Sequence, residues 1–119
     1  DRSVVLRLTV GTRHFLFTGD AGDATERTLL ATYPESRLRA DVLKVSHHGA
    51  TGAGSDAFLD AVSPTYGVIS CGKNNIYGHP AGETVFRYGE HGIRLYRTDV
   101  SGSIVFLTDG TNLSVDTER

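Results

Sequence analysis

A second cysteine is missing: Cys71 stands alone in 119 residues, which excludes an intrachain disulfide and leaves the redox compartment open. Long apolar runs are missing too. No stretch reaches the roughly 18 residues that a membrane-spanning helix needs, and no basic-then-apolar leader opens the chain; a membrane is expected only through a larger parent protein. An excess of one charge is also absent. With 12 Lys and Arg against 14 Asp and Glu, the net charge is -2, so composition offers no basic face of the kind that grips nucleic acid non-specifically. There is no internal repeat and no low-complexity segment. What is present is globular composition, 39% hydrophobic and 22% charged. The length suits one domain, able to bury about two-thirds of its unfolded surface.

Val42-Leu43-Lys44-Val45 is a strand-like run that stops at Ser46-His47-His48-Gly49, and Gly49, Gly52 and Gly54 make the following segment a loop. Two histidines therefore stand at a strand end, where layered α/β folds collect reacting groups. Upstream, Val4 to Val10 and His14 to Thr18 read as strands joined by Gly11-Thr12-Arg13. The unbroken Phe15-Leu16-Phe17 predicts a strand covered on both faces. Asp23-Ala24-Thr25-Glu26 has the form of a capping box, opening a helix over 24–33 with Leu29, Leu30 and Tyr33 inward and Pro34 as its stop.

A polar loop is expected over 35–40, a strand over 41–45, and a short helix capped by Ser55 or Asp56 that breaks at Ser63-Pro64. A strand over 66–71 and a turn-rich loop over 72–78 follow. Pro80 suits the first position of a helix that reaches about His91 and exits at Gly92. Ile93 to Arg97 and Ser103 to Thr108 read as a second hairpin, and 111–119 as a polar, frayed tail. The working division is a domain over 1–110 and a tail over 111–119.

Asp20 follows an apolar strand and would ordinarily be read as a helix cap. The capping box at Asp23 and Glu26 makes it redundant there and leaves it for another role. His47 and His48, as neighbours in an extended segment, should point opposite ways. At most one of them is then expected to reach a given metal, while its neighbour braces the loop or faces substrate. Lys73, Asn74, Asn75, Tyr77 and His79 gather hydrogen-bond donors beside a helix start, a setting that suits a phosphate or another anion. His14 and His91 read as surface or structural residues, and Cys71 as a small core residue.

Taken in order, Thr18-Gly19-Asp20, Ser46-His47-His48-Gly49, Tyr77-Gly78-His79-Pro80 and Tyr96-Arg97-Thr98-Asp99 resemble the metallo-β-lactamase superfamily, specifically the hydrolase-like domain of ComEC-type DNA-uptake competence proteins. The resemblance covers nearly the whole chain. It implies the C-terminal half of an αββα sandwich, in α/β (α+β mixed) class, with a sheet whose inner face packs on a missing N-terminal half. Asp20 would bridge two divalent metal ions, zinc or manganese, with His47 or His48 as an imidazole ligand. His79, Lys73 and Asn75 would stand on the substrate side as catalytic residues. The implied reaction is attack of a metal-held water on a phosphodiester, DNA in competence proteins, at the outer face of the cytoplasmic membrane or outside the cell.

One departure is large. The family's His-x-His-x-Asp-His type motif is absent from this sequence, and a catalytic zinc needs about three protein ligands. Two other readings therefore stand beside the hydrolase: a non-catalytic binding or scaffold module of the same fold, and a hydrolase of a different ester. The chain by itself is expected to be inactive and to expose an apolar face. Asp1-Arg2-Ser3 running straight into a strand pattern is expected of a chain that starts within a larger domain.

Overall fold

A computed structural model describes residues 4–119, and the expectation drawn from Asp1-Arg2-Ser3 lies outside the described residues. Strands β1 (Leu6–Val10) and β2 (Arg13–Phe17) form the expected antiparallel hairpin, with Val10 opposite Arg13. Its turn uses Gly11 at φ +59, where an added Cβ would strike the Gly110 backbone. Strands β3 (Val42–Lys44), β4 (Tyr66–Ile69) and β5 (Arg94–Arg97) extend the sheet in the order β1-β2-β3-β4-β5, and β2 to β5 are mutually parallel.

Parallel neighbours need crossovers, and helices supply them. Helices α1 (Asp23–Thr32) and α2 (Glu35–Leu38) lie between β2 and β3, α3 (Asp56–Val62) between β3 and β4, and α4 (Gly82–Glu90) between β4 and β5. Each strand is laid beside the one before it. Crossovers of one hand then put every helix on the same face, and α3 accordingly touches both α1 and α2. The core lies in that layer: Leu16, Leu43 and Ile69 from the sheet against Leu38, Phe58, Leu59, Val62 and Tyr88. Each such large apolar side chain contributes about 1.5–3 kcal/mol by leaving water.

The alternate residues of the sheet face the other way. Leu8, Phe15, Phe17, Val42, Lys44 and Val68 line a cleft of about 530 Å³, closed on its far side by Ile104, Phe106 and Leu107. Those last residues belong to β6 (Ile104–Thr108), which pairs with β7 (Leu113–Thr117) in a separate antiparallel ribbon. The Phe106 ring packs edge-on against Tyr66 at 5.5 Å and Tyr96 at 6.3 Å, pinning the ribbon to the sheet. Its cover is partial, and Leu6, Leu8, Phe17, Val105 and Leu107 remain exposed. The result is a mixed α/β fold with helices on one face of a five-stranded sheet and a two-stranded ribbon on the other.

Several sequence expectations are corrected. The residues over 93–97 and 103–108 do not pair with each other. The first joins β4 in parallel through the α4 crossover, and α5 (Thr98–Ser101) with Gly102 at φ +69 turns the chain away. The second needs another partner and finds it in 113–117, so the stretch expected to fray is strand β7. The loop over 35–40 contains α2, because Leu38 is buried in the core. Tyr33 is exposed rather than inward, with the Arg37 guanidinium over its ring. Helix α4 begins at Gly82 after Ala81, not at Pro80, which follows His79 through a cis peptide bond.

The capping box does not form either. Gly22 holds the N-cap position of α1 without a side-chain cap, and Asp23 lies within the helix, paired with Arg27 at 2.7 Å. Glu26 turns inward, where it is 2% exposed and accepts hydrogen bonds from the backbone N–H groups of Gly54 (2.8 Å) and Ser55 (2.9 Å). A carboxylate that can satisfy two buried donors gains more there than by reaching back to an exposed N-cap. The Ser55 cap of α3 is as expected, with its hydroxyl accepting from Phe58 N–H.

Candidate functional site

The C-terminal ends of β2, β3, β4 and β5 point to one edge of the sheet, and the loops beyond them carry nearly every residue singled out from the sequence. Beyond β2, Thr18 is buried and its hydroxyl donates to the Lys44 carbonyl at 2.8 Å, tying the turn to β3. Gly19 at φ +57 then turns the chain so that Asp20 stands exposed at the sheet edge. The His47 backbone N–H donates to the Gly19 carbonyl at 2.9 Å, which joins the Asp20 turn to the histidine loop.

The histidine loop differs from the expected extended segment. Ser46–Gly49 is a single tight turn in which His47 (φ 50, ψ 44) and His48 (φ 56, ψ 24) both take left-handed backbone conformations. Two consecutive non-glycine residues there are costly, and such strain persists only where the surroundings impose it. The surroundings do impose it. Ala81 N–H donates to the Gly49 carbonyl, the Thr84 hydroxyl donates to the Ala50 carbonyl, and Arg87 donates to the carbonyls of Ala53 and Gly54. Glu26 holds the loop's far end.

As a consequence the two rings do not diverge. His47 and His48 have ring centroids 6.3 Å apart, and His79, from the loop between β4 and α4, completes a triangle at 5.6 Å from His47 and 6.1 Å from His48. His48 Nδ1 lies 2.7 Å from the Ser70 carbonyl. A carbonyl only accepts, so Nδ1 carries the proton and Nε2 keeps the lone pair in the neutral ring. His48 is thus oriented as a ligand or a base, while its other nitrogen braces it to the end of β4.

The loop over 72–79 is organised by Asn75. Its amide donates to the Gly72 and His79 carbonyls, and its side-chain oxygen accepts from the Tyr77 and His79 N–H groups. Asn75 therefore positions His79 through the backbone, and its amide is engaged within the loop. Lys73 is exposed in the same loop. A small cavity of about 170 Å³ is lined by His48, Cys71, Asn75, Tyr77 and His79.

Three groups at this edge were not singled out as site residues from the sequence. Lys44 is a partly buried lysine in an apolar strand. Burial pushes its ammonium below the usual lysine range, against the opposing pull of the negative Asp20 and of Cys71. Arg97 and Asp99 form an ion pair at 2.8 Å at the end of β5. The hydrogen bond from Arg97 holds the Asp99 carboxyl below the usual carboxylate range, while burial and then the nearby Asp99 raise the Cys71 thiol. Cys71 is consequently a weak nucleophile, in line with a packing role. The only sequence signal for Lys44 was a charged residue inside Val42-Leu43-Lys44-Val45.

The metals implied by the resemblance can be tested on this geometry. Among the described residues, no three or more His, Cys, Asp or Glu side chains are grouped so as to hold one ion. Asp20, His47 and His48 as they stand do not fit a complete metal centre.

No family model matches the chain. Similar curated proteins include competence protein ComA of Neisseria gonorrhoeae, 42% identical over 105 residues, covering 88% of this chain and 15% of that protein. ComE operon protein 3 of Bacillus subtilis (strain 168) is 36% identical over 104 residues, covering 87% of this chain and 13% of its own length. Recombination protein 2 of Haemophilus influenzae is 30% identical over 102 residues, covering 86% and 12%. The chain thus spans less than one-sixth of each of these relatives.

Proposed function

We propose that this chain, a relative of the competence proteins, supplies the downstream half of a metallo-β-lactamase-like hydrolase domain that acts on a phosphodiester, DNA during competence-related uptake. The observation that carries the reading is the triangle of His47, His48 and His79, within 5.6 to 6.3 Å of one another at the shared edge of the parallel strands. Hydrolysis forms a bond from water to phosphorus and breaks one to the leaving oxygen, which must gain a proton. Imidazoles accept and return protons near neutral pH. Where His47 is the ligand, His48, its Nε2 lone pair left available by the bond of Nδ1 to the Ser70 carbonyl, suits the accepting role, and His79 the substrate side. Lys44 and Lys73 add positive charge for an anionic substrate.

The two divalent ions, zinc or manganese, need donors from sequence outside residues 4–119, with Asp20 and one or both of His47 and His48 as this chain's share. The exposed apolar faces of the sheet and of the β6–β7 ribbon support the idea that a further layer, the N-terminal half of the same domain, packs against them. No helix among the described residues is long and apolar enough to cross a membrane. Placement at the outer face of the cytoplasmic membrane or outside the cell belongs to this proposal, through a parent protein.

The missing metal grouping favours one second reading, a binding module that keeps the fold without the chemistry. Metal analysis and phosphodiesterase assays on the complete natural protein separate the two. The hydrolase reading expects bound divalent metal that falls on Asp20→Ala, and turnover that falls on His79→Ala with metal content retained. Absence of both metal and turnover in the unaltered protein establishes the binding module. Turnover of a lactone or other carboxylic ester but not of DNA would move the substrate to a different ester.

A further inference from the structure

Tyr77 and Ile76 are 74% and 89% exposed, the most exposed large apolar side chains among the described residues. They stand beside the candidate site rather than on a remote surface. Asn75 holds the turn that carries them, through the His79 carbonyl and the Tyr77 and His79 N–H groups. The Tyr77 ring also has a defined geometry. It lies 5.7 Å from His79 with an interplanar angle of 25°, and His79 lies 6.1 Å from His48 at 16°. Tyr77, His79 and His48 form a staircase of nearly parallel rings along the open edge of the site, with Tyr77 exposed at one end, His79 half-buried in the middle and His48 exposed at the other.

A loose stack of flat rings with an exposed outermost member is what a planar aromatic ligand extends. The segment 71–82 carries no acidic residue and includes Lys73, so a phosphate attached to that ligand meets a cation and no repulsive carboxylate from its own loop. We infer that Tyr77 is a substrate-binding residue that stacks on one unpaired nucleobase, with Ile76 flanking it, so that the strand enters the site single-stranded and without regard to base identity. Every base has a face that an aromatic side chain can cover, which makes such contacts tolerant of sequence. A paired base stays within its duplex stack and is withheld from the platform. This inference rests on the phosphodiester reading above and adds the form of the nucleic acid.

The test measures binding of three phosphorothioate probes, which resist hydrolysis, to the complete natural protein: a thymidine single strand, an abasic single strand of the same length, and the thymidine strand in a duplex. The unaltered protein should favour the thymidine strand over the abasic one by about 5- to 150-fold for one stacked base, with the duplex resembling the abasic probe. Tyr77→Ala should bring the thymidine-to-abasic ratio close to one without changing abasic affinity. Tyr77→Trp should preserve or raise the ratio, which shows that loss in Tyr77→Ala is not misfolding. If Tyr77→Ala weakens both single strands equally, or leaves the ratio intact, the stacking role is wrong while the phosphodiester reading stands. Duplex binding as tight as the thymidine strand and equally sensitive to Tyr77 would overturn the single-stranded requirement. If the unaltered protein binds none of the probes, the phosphodiester reading falls and the stacking role falls with it.

Discussion

Two turns of this molecule are held by a carboxylate that accepts two backbone N–H groups, and they differ in nearly everything else. Between β6 and β7, Asp109 accepts from Thr111 and Asn112, two and three residues on, and stands in water. At the end of the histidine loop, Glu26 accepts from Gly54 and Ser55, about 28 residues away in sequence, and is buried. The first is a local device that any solvated turn can use. The second brings a helix, a loop and, through Arg87, a second helix to one point, and the candidate site depends on it. Water competes with the exposed carboxylate and substitutes for it when it is lost. Nothing substitutes for the buried one.

The sharpest way to break this comparison is to remove both carboxylates. Glu26→Ala leaves the Gly54 and Ser55 N–H groups unpaired in the interior and should destabilise the protein by roughly 3–5 kcal/mol, read by denaturant unfolding. Glu26→Gln should fall between, since one amide edge accepts while the other faces a donor. A cost for Glu26→Ala below that of an ordinary surface substitution would show that the loop holds itself.

A smaller effect tests whether the histidine loop is fixed by packing or merely by its own turn. Gly49 and Gly52 both take positive φ, at +78 and +82. A Cβ on Gly49 would lie 2.8 Å from the Pro80 side chain and 3.1 Å from Ile69, whereas one on Gly52 meets nothing within 4 Å. Gly52→Ala should cost about 1–2 kcal/mol from backbone strain alone. Gly49→Ala should cost roughly 2–4 kcal/mol, because the overlap adds to that strain, and should also separate His79 from His47 and His48. Equal costs in paired unfolding curves would mean that the Pro80 contact is slack.

The smallest effect belongs to Asp109, and it appears only with pH. Hydrogen bonds from Asn112 and Thr111 hold its carboxyl down at about 2. Its contribution is complete above the ordinary carboxylate range near ~4 and is lost as pH falls through about 2. Asp109→Ala should therefore lower the melting temperature slightly at neutral pH and leave it unchanged once the pH is well below about 2. A decrement that persists undiminished in acid would assign the role to packing of the turn.

Much of the fold was legible because its signals are local. The β1–β2 hairpin followed from Gly11, the Ser55 cap from its position, and the exit of α4 from Gly92. The apolar runs of β2 and β3 gave two strands, of which β3 is buried while β2 is covered only in part, Phe17 staying exposed. The candidate site was legible as residue types: Asp20, His47, His48 and His79 were all marked, and the structure brings the three histidines together. Lys44 was not, and Arg97 and Asp99 stood only within a resembling stretch with no role given, because their meaning depends on which strand ends lie side by side.

The sequence by itself determined which residues turn, which run straight and which types of side chain reach the strand ends, since these depend on a few neighbouring torsions and on period-two burial. Tertiary structure decided the rest. It gave 93–97 to β4 instead of to 103–108, made a strand of 113–117, and turned Glu26 from an expected cap into a buried clamp. It also set His47 and His48 into left-handed backbone so that both rings face His79. Each of these outcomes is a competition between a local preference of about 1 kcal/mol and hydrogen bonds or burial worth more, contributed by residues far away in the chain.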